Sequence, residues 1–121
     1  MTLLATASQD LAGATTPIDK VVARIRLAVY SARQGNDQLA RSHIDNLRAE
    51  PTSAAYSLAI AGANLAEGVV AYCSSDQATA VDRLRRSQAL AASARAESLE
   101  RWANAWLAHV AFDAGNLDQV H

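Results

Sequence analysis

Side chains that do chemistry are few and scattered in this sequence. The three histidines, His43, His109 and His121, have no second histidine or cysteine at metal-ligand spacing, and neither HExxH nor CxxC occurs. The single cysteine, Cys73, has no basic neighbour in the sequence that would activate its thiol. No serine lies in a nucleophile elbow, and the five glycines form no phosphate-binding loop. The sequence therefore predicts no catalytic centre, no metal and no cofactor.

One histidine invites comparison with phosphotransfer chemistry. His43 lies in "ARSHIDNLRAEP". The whole chain resembles histidine phosphotransfer domains in length and helical character, and those domains place a cation three residues after the histidine. Asn46 stands at that position here, and Pro51 ends the helix soon afterwards. The stretch therefore favours a structural histidine, and His109, on an apolar helix, is interpreted in the same way.

The charge balance argues against nucleic acid and membrane partners. Eleven basic and twelve acidic residues give a net charge of −1, so no global field attracts a polyanion. The densest basic cluster, "DRLRR" at 82–86, is offset by Asp76 and Asp82 and has no interleaved aromatics. It predicts a solvated face or an interface rim.

The N-terminus and the lone cysteine bear on compartment. Residues 1–16 have no basic n-region and no long apolar h-region, so they do not resemble a secretory signal and predict a loose segment. A single cysteine suits a reducing compartment, which predicts a cytoplasmic protein. The apolar run at 54–73 contains Asn64 and Glu67 near its middle, which disfavours a membrane span and favours a helix buried in protein.

Composition and the residues that begin and end helices predict an all-α fold of about five helices. Alanine occurs 28 times, against one Phe and two Pro, and alanine has the highest helix propensity. Thr16-Pro17 predicts a capped helix start, Gly35 a helix stop, and Pro51 a helix end. The predicted helices cover residues 17–33, 37–49, 53–73, 76–91 and 93–114.

The chain also repeats itself at a period of 40. Segments 28–44, 68–84 and 108–120 align without gaps. The aligned turn and cap positions are Gly35 with Ser75 and Gly115, then Asn36 with Asp76 and Asn116. Each unit predicts helix, turn, helix. The last residues then begin a third repeat, which predicts that the chain is a fragment of a longer protein.

This pattern resembles the tetratricopeptide repeat (TPR), with a period of 40 in place of the family's 34. The positions that fall on its consensus are Leu27, Ala28, Gly35, Ala40, Ile44 and Leu47, then Gly68, Ala80 and Leu84, then Leu107, Ala108 and Gly115. The resemblance covers residues 17–121 and implies a TPR-like repeat domain, truncated in the third repeat.

In that family the first helix of each repeat lines a concave binding surface. The resemblance therefore implies a groove formed by Trp102, His109, Phe112, Tyr72, Asn64 and Arg33. Trp102 and Trp106, one turn apart, can instead belong to the core or to the seam with a following helix, and the sequence leaves both interpretations open.

The end of the repeat array predicts self-association. Without a following helix, an apolar surface would remain at Trp106, Leu107, Val110 and Ala111. Such patches commonly mark interfaces, and symmetric pairing would bury the same patch on both chains. The expected form is a homodimer.

These observations predict a non-catalytic module for protein interaction or sensing. Helical repeats of this kind resemble the N-terminal regions of bacterial signalling proteins, which precede an output domain such as a diguanylate cyclase or a DNA-binding domain. The expected partner is another protein or the protein's own downstream domain. The alternative is a helical bundle that binds a small ligand between the third and fifth predicted helices.

Overall fold

The computed structural model describes residues 2–119, and across them the protein is all-α, with six helices and no strand. The helices are α1 (Leu3–Gly13), α2 (Pro17–Arg33), α3 (Asp37–Arg48), α4 (Ser53–Cys73), α5 (Gln77–Ser93) and α6 (Glu97–Gln119). The predicted all-α class is confirmed.

The turn between α2 and α3 recurs between α4 and α5. Gly35 has φ 78° and Ser75 has φ 64°, so both residues adopt the left-handed conformation that ends a helix. Asn36 N–H donates to the Ser31 carbonyl at 2.9 Å, and Asp76 N–H donates to the Ala71 carbonyl at 2.9 Å. The two turns therefore have the same hydrogen bonding 40 residues apart.

Side-chain caps begin α2, α3 and α5. The Thr16 hydroxyl accepts from Asp19 N–H at 3.0 Å, and Pro17 follows in the first turn of α2. Asn36 and Asp76 accept from the third residue after them, at 3.2 Å in both cases. Each cap satisfies a backbone donor that the helix leaves unpaired, so these helix starts are encoded locally.

The prediction of a loose segment over residues 1–16 is wrong for residues 3–13. They form α1, capped by the Thr2 hydroxyl, which accepts from Ala5 N–H at 3.0 Å. Leu4, Ala7 and Leu11 recur at helical spacing, and this face packs on α2 with Ala7 fully buried. Small and polar residues around that short stripe obscured its periodicity.

Two predicted boundaries in the second half of the chain are also wrong. The turn between α5 and α6 falls at Arg95, whose φ is 57°, so α6 begins at Glu97 and not at 93. The predicted stop at Gly115 and the new helix at Asn116 are replaced by a continuous α6. An interior glycine costs a helix only about 1 kcal/mol, which does not force an end. Residues 120 and 121 lie outside the described part of the chain.

Helix α4 is the centre of the packing. It contacts α2, α3, α5 and α6, while α1 packs on α2 and α6 packs on α5. The stretch Ala54–Cys73 is long and apolar enough to cross a membrane by length and composition, but 67% of the window is buried inside the protein. Packing against four helices accounts for its apolar composition.

Two glycines on α4 lie where neighbouring helices pack closely against it. A Cβ at Gly62 would overlap Cγ1 of Ile25 on α2. A Cβ at Gly68 would lie 2.7 Å from Cγ of Leu84 on α5 and 3.3 Å from the Ala80 carbonyl oxygen. The absence of a side chain at both positions therefore lets α2 and α5 approach α4.

Candidate functional site

Helices α2 and α6 both contact α4, but their backbones do not come close to each other. Aromatic side chains lie between α2 and α6. Tyr30 on α2 meets Trp102 on α6 with ring centroids 6.2 Å apart and planes at 58°. Both rings are half-buried against the core. This pair joins helices whose residues are far apart in the sequence.

A second aromatic cluster lies further along α6. The rings of Tyr72, Trp106 and His109 are mutually edge-on, with centroids 5.8, 5.2 and 5.7 Å apart. Edge-to-face contact aligns the positive ring edge with the negative face of its neighbour, which favours a fixed geometry. Trp102, Trp106, His109 and Asp113 share one helix face because they are spaced by three or four residues.

These side chains border an open cavity of about 270 Å³, lined by Arg33, Trp102, Ala105, Trp106 and His109. We call this cavity and the flanking Tyr30 and Tyr72 the aromatic groove. Arg33 is exposed and forms no ion pair with the side chains that the structure describes. The groove therefore combines flat apolar surfaces with a guanidinium available to an incoming anion or carbonyl.

Tyr72, His109 and Asp113 join α4 to α6 at one end of the groove. The Tyr72 hydroxyl donates to the Asp113 carboxylate and lies 3.0 Å from His109 Nε2. The hydrogen bond to Asp113, together with desolvation, raises the pKa of Tyr72 to about 12. The phenol is therefore protonated at neutral pH and acts as a hydrogen-bond donor.

Four of the six predicted groove residues come together: Trp102, His109, Tyr72 and Arg33. Phe112 is 65% exposed, makes no ring contact with the described aromatic side chains and does not line the cavity.

Asn64 is a correction to the predicted groove. It is 4% exposed and donates to the Ile60 carbonyl at 3.0 Å, while its own oxygen accepts from Arg83 at 3.4 Å. Its side chain therefore points toward α5 and away from the groove. The 40-residue alignment paired Asn64 with the exposed Asn104, but it did not show which side of α4 Asn64 faces.

The predicted interface residues do not form one exposed patch. Val110 is 1% exposed and belongs to the core, which overturns its assignment to a surface. Leu107 is half-buried against the core, Trp106 lies in the aromatic groove, and Ala111 is exposed. Packing of α6 on α4 and α5 buries the apolar side that was predicted to be open.

Tyr30 in the aromatic groove and Asp113 at its end were not identified from the sequence. Tyr30 aligns at the 40-residue shift with the buried Val70 and Val110, so the repeat gave no signal for it. Asp113 lies four residues after His109 on the same helix, a spacing that was readable in the sequence.

An apolar pocket lies at the other end of α6. Its volume is about 260 Å³, and its walls are mainly Val22, Ile25, Leu58, Leu99 and Trp102. The charged residues Arg26 and Glu97 also line it. Trp102 therefore contributes to both this pocket and the aromatic groove.

The basic cluster at 82–86 is engaged in ion pairs on the opposite side of α4. Arg83 contacts Glu67 at 3.3 Å, and Arg48 on α3 also binds Glu67, so one carboxylate joins three helices. Arg86 pairs with Asp82 one turn away at 3.1 Å. The predicted solvated face with compensated charge agrees with these contacts.

Groups of metal-ligating side chains and the single thiol bear on the chemistry available to the site. Among the side chains that the structure describes, no three or more from His, Cys, Asp and Glu are grouped to hold a metal. Partial burial and the nearby Asp37 raise the pKa of the Cys73 thiol, which disfavours the reactive thiolate. Comparison with protein-family models, curated proteins and solved structures gives no significant match.

His43 lies outside the groove and gives a pH-dependent prediction. Burial and then the charge of Arg24 lower its pKa below the usual 6.5, and its Nδ1 is buried without a hydrogen-bond partner among the described residues. The unfolded chain therefore binds a proton below pH 6.5 where the folded protein does not, so the free energy of unfolding should decrease as the pH falls below that value. Urea midpoints measured between about pH 7 and 5 should decline less steeply in His43→Gln. Identical pH dependence in both proteins would contradict this assignment.

Proposed function

We propose that the protein is a non-catalytic interaction module with a TPR-like arrangement, in which the aromatic groove binds a segment of a protein partner. The hairpins α2–α3 and α4–α5, with their equivalent turns, support the repeat arrangement. The helices α2, α4 and α6 alternate with α3 and α5 along the chain, and the groove side chains come from the first set. This is the alternation by which helical repeats build one continuous binding face.

The observation that carries the proposal is the composition of the groove. Trp102, Trp106 and Tyr72 present large, partly exposed aromatic surfaces that lose little conformational entropy on binding. Arg33 adds a cation without an ion pair among the described residues. Tryptophan, tyrosine and arginine are the residues that dominate binding energy at protein interfaces.

We place this module in a cytoplasmic signalling or regulatory protein of bacterial type, where the partner is another protein or another domain of the same chain. Support for this setting comes from the sequence resemblance and from the single cysteine. The aromatic groove is compatible with either kind of partner, since both would present a polypeptide segment.

A peptide-display selection tests the function directly. We expect wild-type protein to enrich peptides from a random library, and the selected peptides to lose at least about tenfold in affinity for Trp106→Ala, the scale of a hot-spot residue. Arg33→Gln should weaken the same peptides. Isothermal titration with synthetic copies of the peptides gives the affinities.

Tyr56→Ala is the matched control, because Tyr56 is an aromatic residue 49% exposed on α4 that does not line the groove. It should bind the selected peptides as wild type does. Peptides that bind wild type, Trp106→Ala and Arg33→Gln equally would place the binding surface elsewhere and contradict the proposal.

The second candidate function is binding of a small apolar ligand between α4 and α6, the third and fifth helices of the sequence prediction. The apolar pocket of about 260 Å³ favours it. Trp102 in its wall provides a fluorescence signal for titration with small apolar compounds, and Val22→Phe should abolish that signal by filling the pocket. Titration curves that are unchanged in Val22→Phe would exclude this pocket.

Self-association stays a prediction, with its surface revised. Because Val110 is buried, we place the self-association surface on Ala108, Ala111 and Phe112, which are among the exposed apolar residues of α6. Sedimentation over a range of concentrations should show a dimer that Phe112→Glu dissociates. A constant monomer mass up to high micromolar protein would contradict the prediction.

A further inference from the structure

Three potential metal-ligating atoms converge where α4 meets α6. Tyr72 Oη lies 3.0 Å from His109 Nε2, and His109 Nε2 lies 3.9 Å from the Asp113 carboxylate oxygen that accepts the Tyr72 hydrogen bond. Two of these residues are one turn apart on α6, and the third comes from α4. The cluster thus offers one nitrogen and two oxygen donors within a few ångströms.

This spacing approaches that of a first coordination sphere. Zn²⁺ binds imidazole and carboxylate ligands at about 2.0–2.2 Å, which puts neighbouring ligand atoms roughly 3–3.5 Å apart. Small side-chain rotations would bring the three atoms to those separations. The side chains of His109 and Asp113 are 54% and 37% exposed, so solvent reaches the cluster and water can complete the coordination.

The surrounding rings restrict the donors to this arrangement. Trp106 contacts the rings of both Tyr72 and His109 edge-on, so neither ring turns away without losing aromatic contact. Preorganised ligands lose less entropy when they bind an ion. The nitrogen and oxygen set suits a divalent transition metal such as Zn²⁺ or Cu²⁺ better than Mg²⁺ or Ca²⁺, which prefer all-oxygen sites.

We infer that Tyr72, His109 and Asp113 form a binding site for a divalent transition-metal ion of the Zn²⁺ and Cu²⁺ class. The ion binds the imidazole nitrogen, the carboxylate and the tyrosine oxygen, and replaces the hydrogen bond from Tyr72 to Asp113. The phenol proton is released to solvent when its oxygen binds as phenolate, so affinity rises with pH. Bound metal would join the C-terminal half of α4 to α6 beside the aromatic groove.

Titration of the untagged full chain with Cu²⁺ and Zn²⁺ tests the site. Cu²⁺ should quench the fluorescence of Trp106, which touches His109, and Zn²⁺ should give a saturable calorimetric signal with one site per chain. His109→Ala and Asp113→Asn should each weaken both signals by at least about tenfold, the loss that even outer-shell changes cause at metal sites. Tyr72→Phe should reduce the number of protons released on binding.

Two variants control for other sites. His43→Gln removes the other histidine in the described chain, and Asp82→Asn removes an exposed carboxylate of the i, i+4 pair on α5. Both should bind metal as wild type does. Because His109 and Asp113 are partly exposed, their variants should retain the wild-type circular dichroism, and Zn²⁺ should raise the denaturation midpoint of wild type but not of His109→Ala. Saturable binding that survives His109→Ala, or no binding to wild type at millimolar metal, would overturn the inference.

Discussion

Gly68→Leu is expected to lower the free energy of unfolding by roughly 1–3 kcal/mol through overpacking. Even a Cβ at this position would lie 2.7 Å from Leu84 Cγ and 3.3 Å from the Ala80 backbone oxygen. Leu84 is fully buried, so it cannot move into solvent to make room. Urea denaturation followed by circular dichroism measures the change.

A matched pair of variants makes this prediction specific. Gly13→Leu introduces the same side chain where an added Cβ meets nothing within 4 Å, and it should leave the midpoint nearly unchanged. Adding Leu84→Ala to Gly68→Leu should recover part of the loss, because the two side chains compete for one volume. Equal midpoints for Gly68→Leu and wild type would mean that Gly68 does not face α5.

Leu65→Ala should cost more, about 2–5 kcal/mol, because it leaves a cavity that the surroundings only partly fill. Leu65 is fully buried on α4, the helix that contacts four others. The loss should appear as a lower urea midpoint with a transition that stays cooperative, since one core connects all the helices that pack on α4.

Leu39→Ala provides the comparison for this second prediction. Leu39 lies on α3 and is 39% exposed, so the same truncation removes side-chain atoms that already contact water. Its cost should be well under half that of Leu65→Ala. Similar losses for the two variants would contradict the central position of α4 in the core.

The sequence by itself determined the helical class and the boundaries that carry their own chemistry. Alanine enrichment predicted helices, and the cap-and-proline pair at Thr16 and Pro17, the glycine at 35 and the proline at 51 were each read correctly. These signals act through the backbone of the same few residues, so no distant contact is needed to interpret them. The turn at Ser75 can be predicted only because the sequence around it aligns with the sequence around Gly35.

Two further helix boundaries depended on tertiary packing and could not be predicted from local signals. Arg95 adopts a positive φ without being glycine, and Gly115 lies within a continuous helix. The left-handed conformation costs a non-glycine residue roughly 1–2 kcal/mol, and an interior glycine costs a helix about 1 kcal/mol, so tertiary contacts readily outweigh both preferences. The same holds for α1, whose short apolar stripe becomes helical where it packs on α2.

The tertiary structure decided which of the predicted residues share the groove and which further residues join them. Tyr30 and Trp102 meet because α2 and α6 lie on either side of α4, a relation that no local pattern encodes. Asn64 and Asn104 share a register in the 40-residue alignment, yet Asn64 is 4% exposed and Asn104 is exposed. Helix α6 begins 44 residues after α4, so the two helices do not keep the 40-residue spacing. Helix α6 packs chiefly on α5, whereas α4 contacts four helices. Burial depends on how many neighbours a helix has, and that number is set by the assembled fold.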